Sequence, residues 1–242
     1  MTKQGDRRDF LRRAGVLGVA LGVPRIQALQ QEKTAAQQPK EQEVSPAEDL
    51  MREHGLLNRV LLIYEEIGRR LQRKSEYDPG ALAGAARIIQ QFIEDYHEKL
   101  EEDYLFPRFE KAGRLAELVR VLREQHQAGR RLTAQIQRLA GSTTLKDAAG
   151  RQRLNGALHA FVRMYRPHEA REDTVLFPAL HEIVSSSEYD ALGEEFEKKE
   201  RQLFGSEGFE KMVDQVAGLE KRLGIYDLST FTPLVVSEVE PR

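Results

Sequence analysis

Two stretches of the 242-residue chain repeat one order of ionisable side chains. His97-Glu-Lys-Leu-Glu101-Glu-Asp-Tyr-Leu105-Phe106-Pro107 aligns in register with His168-Glu-Ala-Arg-Glu172-Asp-Thr-Val-Leu176-Phe177-Pro178. The interval from His97 to His168 recurs, to within one position, between His54 and His126. These two histidines close the related approaches Leu-Met-Arg-Glu-His and Leu-Arg-Glu-Gln-His. An interval this constant marks a duplicated helix pair with pseudo-twofold symmetry. An imidazole followed four residues later by a carboxylate sits on one helical face, an arrangement suited to holding a cation. The chain has no cysteine, so disulfides, thiol nucleophiles and sulfur-ligated metals are excluded. Any metal must be bound through nitrogen and oxygen.

Hydrophobic periodicity supplies the elements that carry these residues. One stripe runs Leu50, His54, Leu57, Leu61, Tyr64, Leu71, and a second Ile89, Ile93, His97, Leu100, Tyr104. A third runs Leu115, Leu118, Leu122, His126, Gly129, Ile136, Leu139; the fourth is Leu154, Leu158, Phe161, Tyr165, His168, Glu172, Val175, Ala179. Asp78-Pro79-Gly80, Ala112-Gly113 and residues 141–144 break the pattern. The expectation is an all-α protein, an antiparallel four-helix bundle over residues 47–184 with a pseudo-twofold repeat.

Each repeated histidine lies inside an apolar stripe and therefore faces the bundle interior. An unpaired polar group there costs roughly 2–7 kcal/mol. Four imidazoles and the carboxylates of Glu101 and Glu172 in one core call for a cation, and a metal pair meets that need. His159 and His181 fall off the ligand face and are read as surface residues. Glu98, Glu102, Glu169 and Asp173 are one residue out of phase, either solvated or supporting the ligands. A zinc-protease H-E-x-x-H fails because the fifth residue is glutamate in both copies. An E-x-x-H pattern occurs once, at Glu94 to His97, and Tyr165 holds the partner position.

His54, His97-x3-Glu101, His126 and His168-x3-Glu172, with both Leu-Phe-Pro extensions, resemble the hemerythrin-like (HHE cation-binding) family. The resemblance spans about residues 47–183. It implies a four-helix bundle around two non-haem iron ions joined by an oxo or hydroxo bridge. On that likeness Glu101 and Glu172 bridge the irons, with His54, His97, His126 and His168 as terminal ligands; zinc or manganese is the alternative metal. Oxygen carriers of this kind have a further histidine in an H-x3-H pair, and here Arg130 follows His126. They also use H-x4-D, which His168 and Asp173 satisfy, so Asp173 stands as a substitute for Glu172. The missing ligand leaves each metal an open position, which suits reaction with a small oxidant better than reversible oxygen carriage. Water or Glu94 could also fill it. Tyr165, one turn before His168, and Tyr104, two turns after His97, are expected to face the site, where a hydroxyl could bond an oxygen species; ordinary core packing is the competing reading. No residue is assigned a catalytic role. Pro107 and Pro178 are expected to kink their helices below the site, and Pro167 to aim His168.

At the other end of the chain, Arg7-Arg8 followed by Phe10-Leu11 and the short apolar run Ala14–Pro24 resembles a bacterial twin-arginine signal over residues 1–28. That implies export by the twin-arginine machinery to the periplasm or beyond. Eleven apolar residues are too few to span a bilayer core of about 30 Å. Residues 29–46 read as a flexible linker. Residues 185–242 form a helical extension, with helices at 188–204 and 206–223 and an apolar tail at 225–233 expected to dock on the bundle, as a cover or a homodimer contact. The 37 basic and 39 acidic residues give a formal charge of −2, with no general basis for binding nucleic acid. Without residues 1–28 the charge is −6. The function expected is an exported di-iron protein reacting with dioxygen, peroxide or nitric oxide, supplied by an unidentified electron donor. The alternatives are an oxygen-binding or sensing protein, an iron store or donor, or a structural zinc or manganese site.

Overall fold

The computed structural model describes residues 44–140 and 147–233. The segment expected to be an export signal and all but the last three residues of the expected linker lie outside them. Every regular element among the described residues is helical.

Helix α1 (Pro46–Arg73) starts where the Ser45 hydroxyl accepts from the Glu48 N–H and Pro46 fills the first turn. Helix α2 covers residues 79–112 and is capped by Asp78, whose carboxylate accepts the Gly80 N–H at 2.8 Å. Helix α3 is Ala116–Ala140, and α4 covers residues 148–180 behind an Asp147 cap. Helices α1 and α3 both pack along α4, and α2 packs against both of them. Leu57, Leu61, Ile89, Leu122, Ile136 and Phe161 fill the space enclosed.

Helices α2 and α4 are not uniformly α-helical. Each widens into a π-helical turn, Glu101–Leu105 in α2 and Glu172–Leu176 in α4, directly before the Phe-Pro pair. The Phe106 N–H bonds the Glu101 carbonyl and the Phe177 N–H bonds that of Glu172. The next residue in each case is the proline, which has no N–H to give, so the wider turn absorbs the lost donor within a continuous helix. A longer π segment, Ile89–His97, precedes the first of these turns and has no counterpart in α4, which instead carries Pro167 in its interior.

The C-terminal residues add α5 (Ser186–Phe204) and α6 (Gly208–Leu223), which lie over α1 and α2. Phe196, Val216 and Leu223 are buried there. Phe92 of α2 meets Phe204 and Phe209 at 5.4 and 6.3 Å, and Arg59 forms a two-pronged bond to Glu220 at 3.0 and 2.6 Å. The tail corrects the expectation that residues 225–233 dock as a unit. Ile225 packs on the core, but Tyr226, Leu228 and Phe231 remain exposed. Among the described residues no helix is long and apolar enough to cross a membrane.

Gly129 shows how tightly the interior is fitted. A Cβ at this position would lie 2.0 Å from the Tyr165 hydroxyl and 2.8 Å from its ring carbon. Gly129→Ala should therefore destabilise the fold by about 1–3 kcal/mol, and Tyr165→Leu in the same chain should recover part of the loss. Urea unfolding of the two single variants and the double variant measures both effects. Asp78 ties the start of α2 to Arg222 of α6 through a 2.7 Å bond from Nε, and that partner together with the Gly80 N–H holds its carboxyl below the ordinary value. A carboxyl held low contributes stability at neutral pH and loses it as pH falls through the carboxylate range. Asp78→Asn should lower the melting temperature at neutral pH, and the difference should shrink as the Asp78 carboxyl becomes protonated in acid.

Candidate metal centre

His54 of α1, His97 and Glu101 of α2, His126 of α3, and His168 and Glu172 of α4 are all buried, and the structure brings the six into one cluster. Ligand atoms of Glu101, His126, His168 and Glu172 lie within 4.8 Å of one another, as do those of His54, His97 and Glu101. The imidazoles form two pairs. The Nε2 atoms of His54 and His97 are 3.0 Å apart, and the rings of His126 and His168 have centroids 5.0 Å apart. Each carboxylate stands between the pairs. Glu101 reaches His97 at 3.7 Å with one oxygen and His126 at 3.3 Å with the other. Glu172 lies 3.5 Å from His54 and 3.0 Å from His168. Two nitrogen pairs with carboxylates between them make a nitrogen-and-oxygen donor set suited to a cation.

The outward nitrogens explain how the rings are held. Every Nδ1 meets an acceptor on another helix: His54 with Asp173 at 2.7 Å, His97 with Glu53 at 2.8 Å, His126 with Glu102 at 3.1 Å and His168 with Gln125 at 2.9 Å. Anchoring Nδ1 orients each ring and leaves Nε2 as the lone-pair donor to the interior. The anchors obey the repeat as well. Residues just before His54 and His126 hold the histidines of α2 and α4; residues just after Glu101 and Glu172 hold those of α3 and α1.

The inward atoms lack such partners. Both carboxylate oxygens of Glu101 and of Glu172, and Nε2 of His126, are fully buried with no hydrogen bond. Burial and the neighbouring Glu172 push the Glu101 carboxyl well up, because two ionised carboxylates this close repel by several kcal/mol even at an effective dielectric near 20. Glu172 is held down despite its burial by His168, His54 and His126. Burial drives His97 well below its usual range, reinforced by His54, and lowers His126 too. His54 is raised: burial works against its charge, but Asp173 and Glu172 outweigh it. A cation at the centre would reverse this conflict, favouring ionised carboxylates and neutral imidazoles together.

The other candidates read from the sequence separate clearly once placed. Tyr104 does not face the cluster. Its hydroxyl points to Glu195 of α5 at 3.4 Å and its ring meets Phe196. Seven residues after His97 is the same face in an unbroken α-helix, but the π turn at Glu101–Leu105 rotates Tyr104 away. Tyr165 does line the site. Its ring lies 5.4 Å from His168 and its hydroxyl donates to Glu98 at 2.6 Å. Glu94 is buried beside Thr133 and Arg130, its carboxyl raised by burial, and is not among the converging groups.

Glu98 and Glu169, one residue out of phase, are buried, not solvated. Glu98 is paired with Arg130 at 2.8 Å, and Glu169 accepts from Asn58. Burial raises Glu98 well above its usual range and Glu169 to about 8. Asp173 sits outside the cluster, on Nδ1 of His54, whereas Glu172 points inward. Arg130 turns to Glu98 and Glu102, at 2.8 and 2.9 Å. His159 and His181 are exposed, the latter stacked on Tyr189 at 3.7 Å. The anchors Glu53 and Gln125 are the residues that sequence reasoning misses. Their only signal is that they immediately precede His54 and His126, in the same place in both copies.

Comparison with known proteins agrees with this geometry. An uncharacterized protein of Mycobacterium bovis is 50% identical over 190 residues, covering 78% of this chain and 74% of its own. Uncharacterized proteins of two Mycobacterium tuberculosis strains, CDC 1551 and H37Rv, match to the same degree. No solved structure matches the chain. Residues 45–180 match the hemerythrin HHE cation binding domain, a span containing all six converging residues and their four anchors. The chain therefore belongs to the hemerythrin HHE cation-binding family.

Proposed function

We propose that this is an exported di-iron protein that reacts with a small oxidant, peroxide, dioxygen or nitric oxide, and that His54, His97, Glu101, His126, His168 and Glu172 hold the two metal ions. The observation that carries this reading is the contrast between the two sides of the histidines. All four Nδ1 atoms are anchored, while the oxygens of both central carboxylates are buried without a hydrogen-bond partner from the chain. Unsatisfied buried carboxylates are costly, and a divalent pair is the group that this donor set fits. An antiparallel arrangement of α1 to α4, supported by their short connections, lets each carboxylate reach both imidazole pairs.

When bound, the iron pair supplies reversible electron transfer and open positions for a small oxidant. The chain's own residues set the conditions. Glu53, Glu102, Asp173 and Gln125 fix the rings, and Phe177 and Phe106 pack on His54 and His126 at 5.4 and 5.5 Å and exclude water. Arg130, held by Glu98 and Glu102, does not supply a replacement for the further histidine of oxygen carriers. Its placement supports reaction over storage of dioxygen. The proposed twin-arginine segment adds export of an already folded, loaded protein.

Metal analysis of the protein without residues 1–28 tests the reading. Near two irons per chain, with oxo-to-iron absorption bands, is the expected result; one zinc and a featureless spectrum would overturn it. His97→Ala and Glu172→Ala should abolish metal binding, and His159→Ala should retain it. Removing an anchor has a graded effect: Asp173→Asn or Glu53→Gln should weaken metal affinity by roughly 10–100-fold without abolishing it. Equal loss in Asp173→Asn and Glu172→Ala would move the ligand role to Asp173. Peroxide turnover by the loaded protein then separates a reactive centre from a carrier.

A further inference from the structure

One line of side chains that departs from the duplicated pattern leads out of the centre. By the offset that relates His168 to His97, Tyr165 and Phe161 of α4 correspond to Glu94 and Gln90 of α2. By the offset that relates His54 to His126, Tyr64 of α1 corresponds to Ile136, and Gly129 of α3 to Leu57. These three rings are in contact with one another and reach the centre, whereas Phe92 and Tyr96, which also lack aromatic counterparts, pack against Phe204 of α5. Tyr165 lies 5.4 Å from His168, Phe161 lies 4.4 Å from Tyr165, and Tyr64 lies 5.3 Å from Phe161. Gly129 is the cleft that admits Tyr165 into this line. The other histidine contacts end at once. His54 meets Phe177, and His126 meets Phe106, which the Arg123 guanidinium approaches at 5.0 Å.

Tyr64, itself fully buried, lies directly beneath a surface groove of about 520 Å3 between α1 and α4, a size typical of small-molecule sites. Val162 adds to the apolar floor, Phe231 stands at the edge, and Arg69, Arg163 and Arg166 surround it. Glu65 and Glu66 pair with Arg166 and Arg69 at 2.8 and 2.9 Å. No ion pair engages Arg163 among the described residues. An apolar floor under an excess of guanidinium groups fits a flat aromatic molecule bearing an anionic group.

We propose that this groove binds a flat, anionic two-electron reductant of the reduced-flavin-nucleotide type, and that Tyr64, Phe161 and Tyr165 form the path by which its electrons reach the His168 edge of the cluster. The inference rests on the redox reading above. Electron tunnelling falls steeply with distance, and packed rings couple the groove to the centre better than a gap would, without themselves being reduced or oxidised. The chemistry balances. Reduced flavin gives up two electrons and two protons to become oxidised flavin. Hydrogen peroxide takes two electrons and two protons, its O–O bond breaks, and two waters leave. Electrons follow the rings singly while protons exchange through solvent.

The test uses flavin mononucleotide and the metal-loaded protein. Oxidised flavin should show saturable fluorescence quenching, and Arg163→Glu with Arg69→Glu should raise the Kd roughly tenfold or more. Mixed without oxygen, reduced flavin should bleach the visible bands of the centre. Phe161→Leu and Phe161→Met should keep the wild-type Kd and metal content but slow bleaching several-fold, and Phe92→Leu, in the other aromatic cluster, should change neither. Absence of saturable binding, insensitivity to arginine reversal, or wild-type bleaching in both Phe161 variants would overturn the proposal. A centre that dithionite reduces but flavin does not rejects the groove alone; a chain without redox metal rejects the reading of the site itself.

Discussion

Glu101 and Glu172 face each other fully buried and without hydrogen-bond donors, in a core otherwise built of leucine, isoleucine and phenylalanine, and the bundle is arranged around the charge conflict they create. The imidazoles favour the charge on Glu172, but nothing in the chain does the same for Glu101. An interior like this is unfavourable for the bare chain, and a bound cation is what turns its opposing preferences into a single stable state. Stability and ligand binding are therefore two aspects of the same centre.

The remaining features make that centre rigid. Each imidazole is carried by one helix and anchored by a residue of another, so no ring can turn without breaking a bond between helices. The π turns that begin at Glu101 and Glu172 reconcile two demands on the same stretch of backbone, an inward carboxylate and a proline shortly after it. The C-terminal helices cover α1 and α2 and leave the α1–α4 side open, which is where the groove lies.

The inward-facing histidines and glutamates are legible in the sequence because duplication repeats both their identity and their phase within an apolar stripe. Helix breaks are legible at Asp78-Pro79-Gly80 and Ala112-Gly113, whereas the Ser45 cap falls within the stretch read as linker. Anchoring is harder to read, since Glu53 and Gln125 acquire their role from a distance across two helices, which no spacing within one helix encodes. Glu98 and Glu169 look solvated by helical phase, yet both are buried, Glu98 beside Tyr165 and Arg130 and Glu169 beside Asn58. Helical phase misplaces Tyr104 for a local reason: a change from α to π bonding has no compositional signature, and one such turn is enough to move a side chain to another face.

The cross-helix anchors have a consequence for the life of the molecule. A ligand that binds the folded bundle alone stabilises it in proportion to the logarithm of its free concentration over Kd. Because the donors come from all four helices, opening any one of them disperses the cluster, and the cation's hold is felt as resistance to unfolding everywhere in the bundle. Survival of the protein against proteolysis then follows the supply of metal around it, so that its abundance becomes a record of that supply.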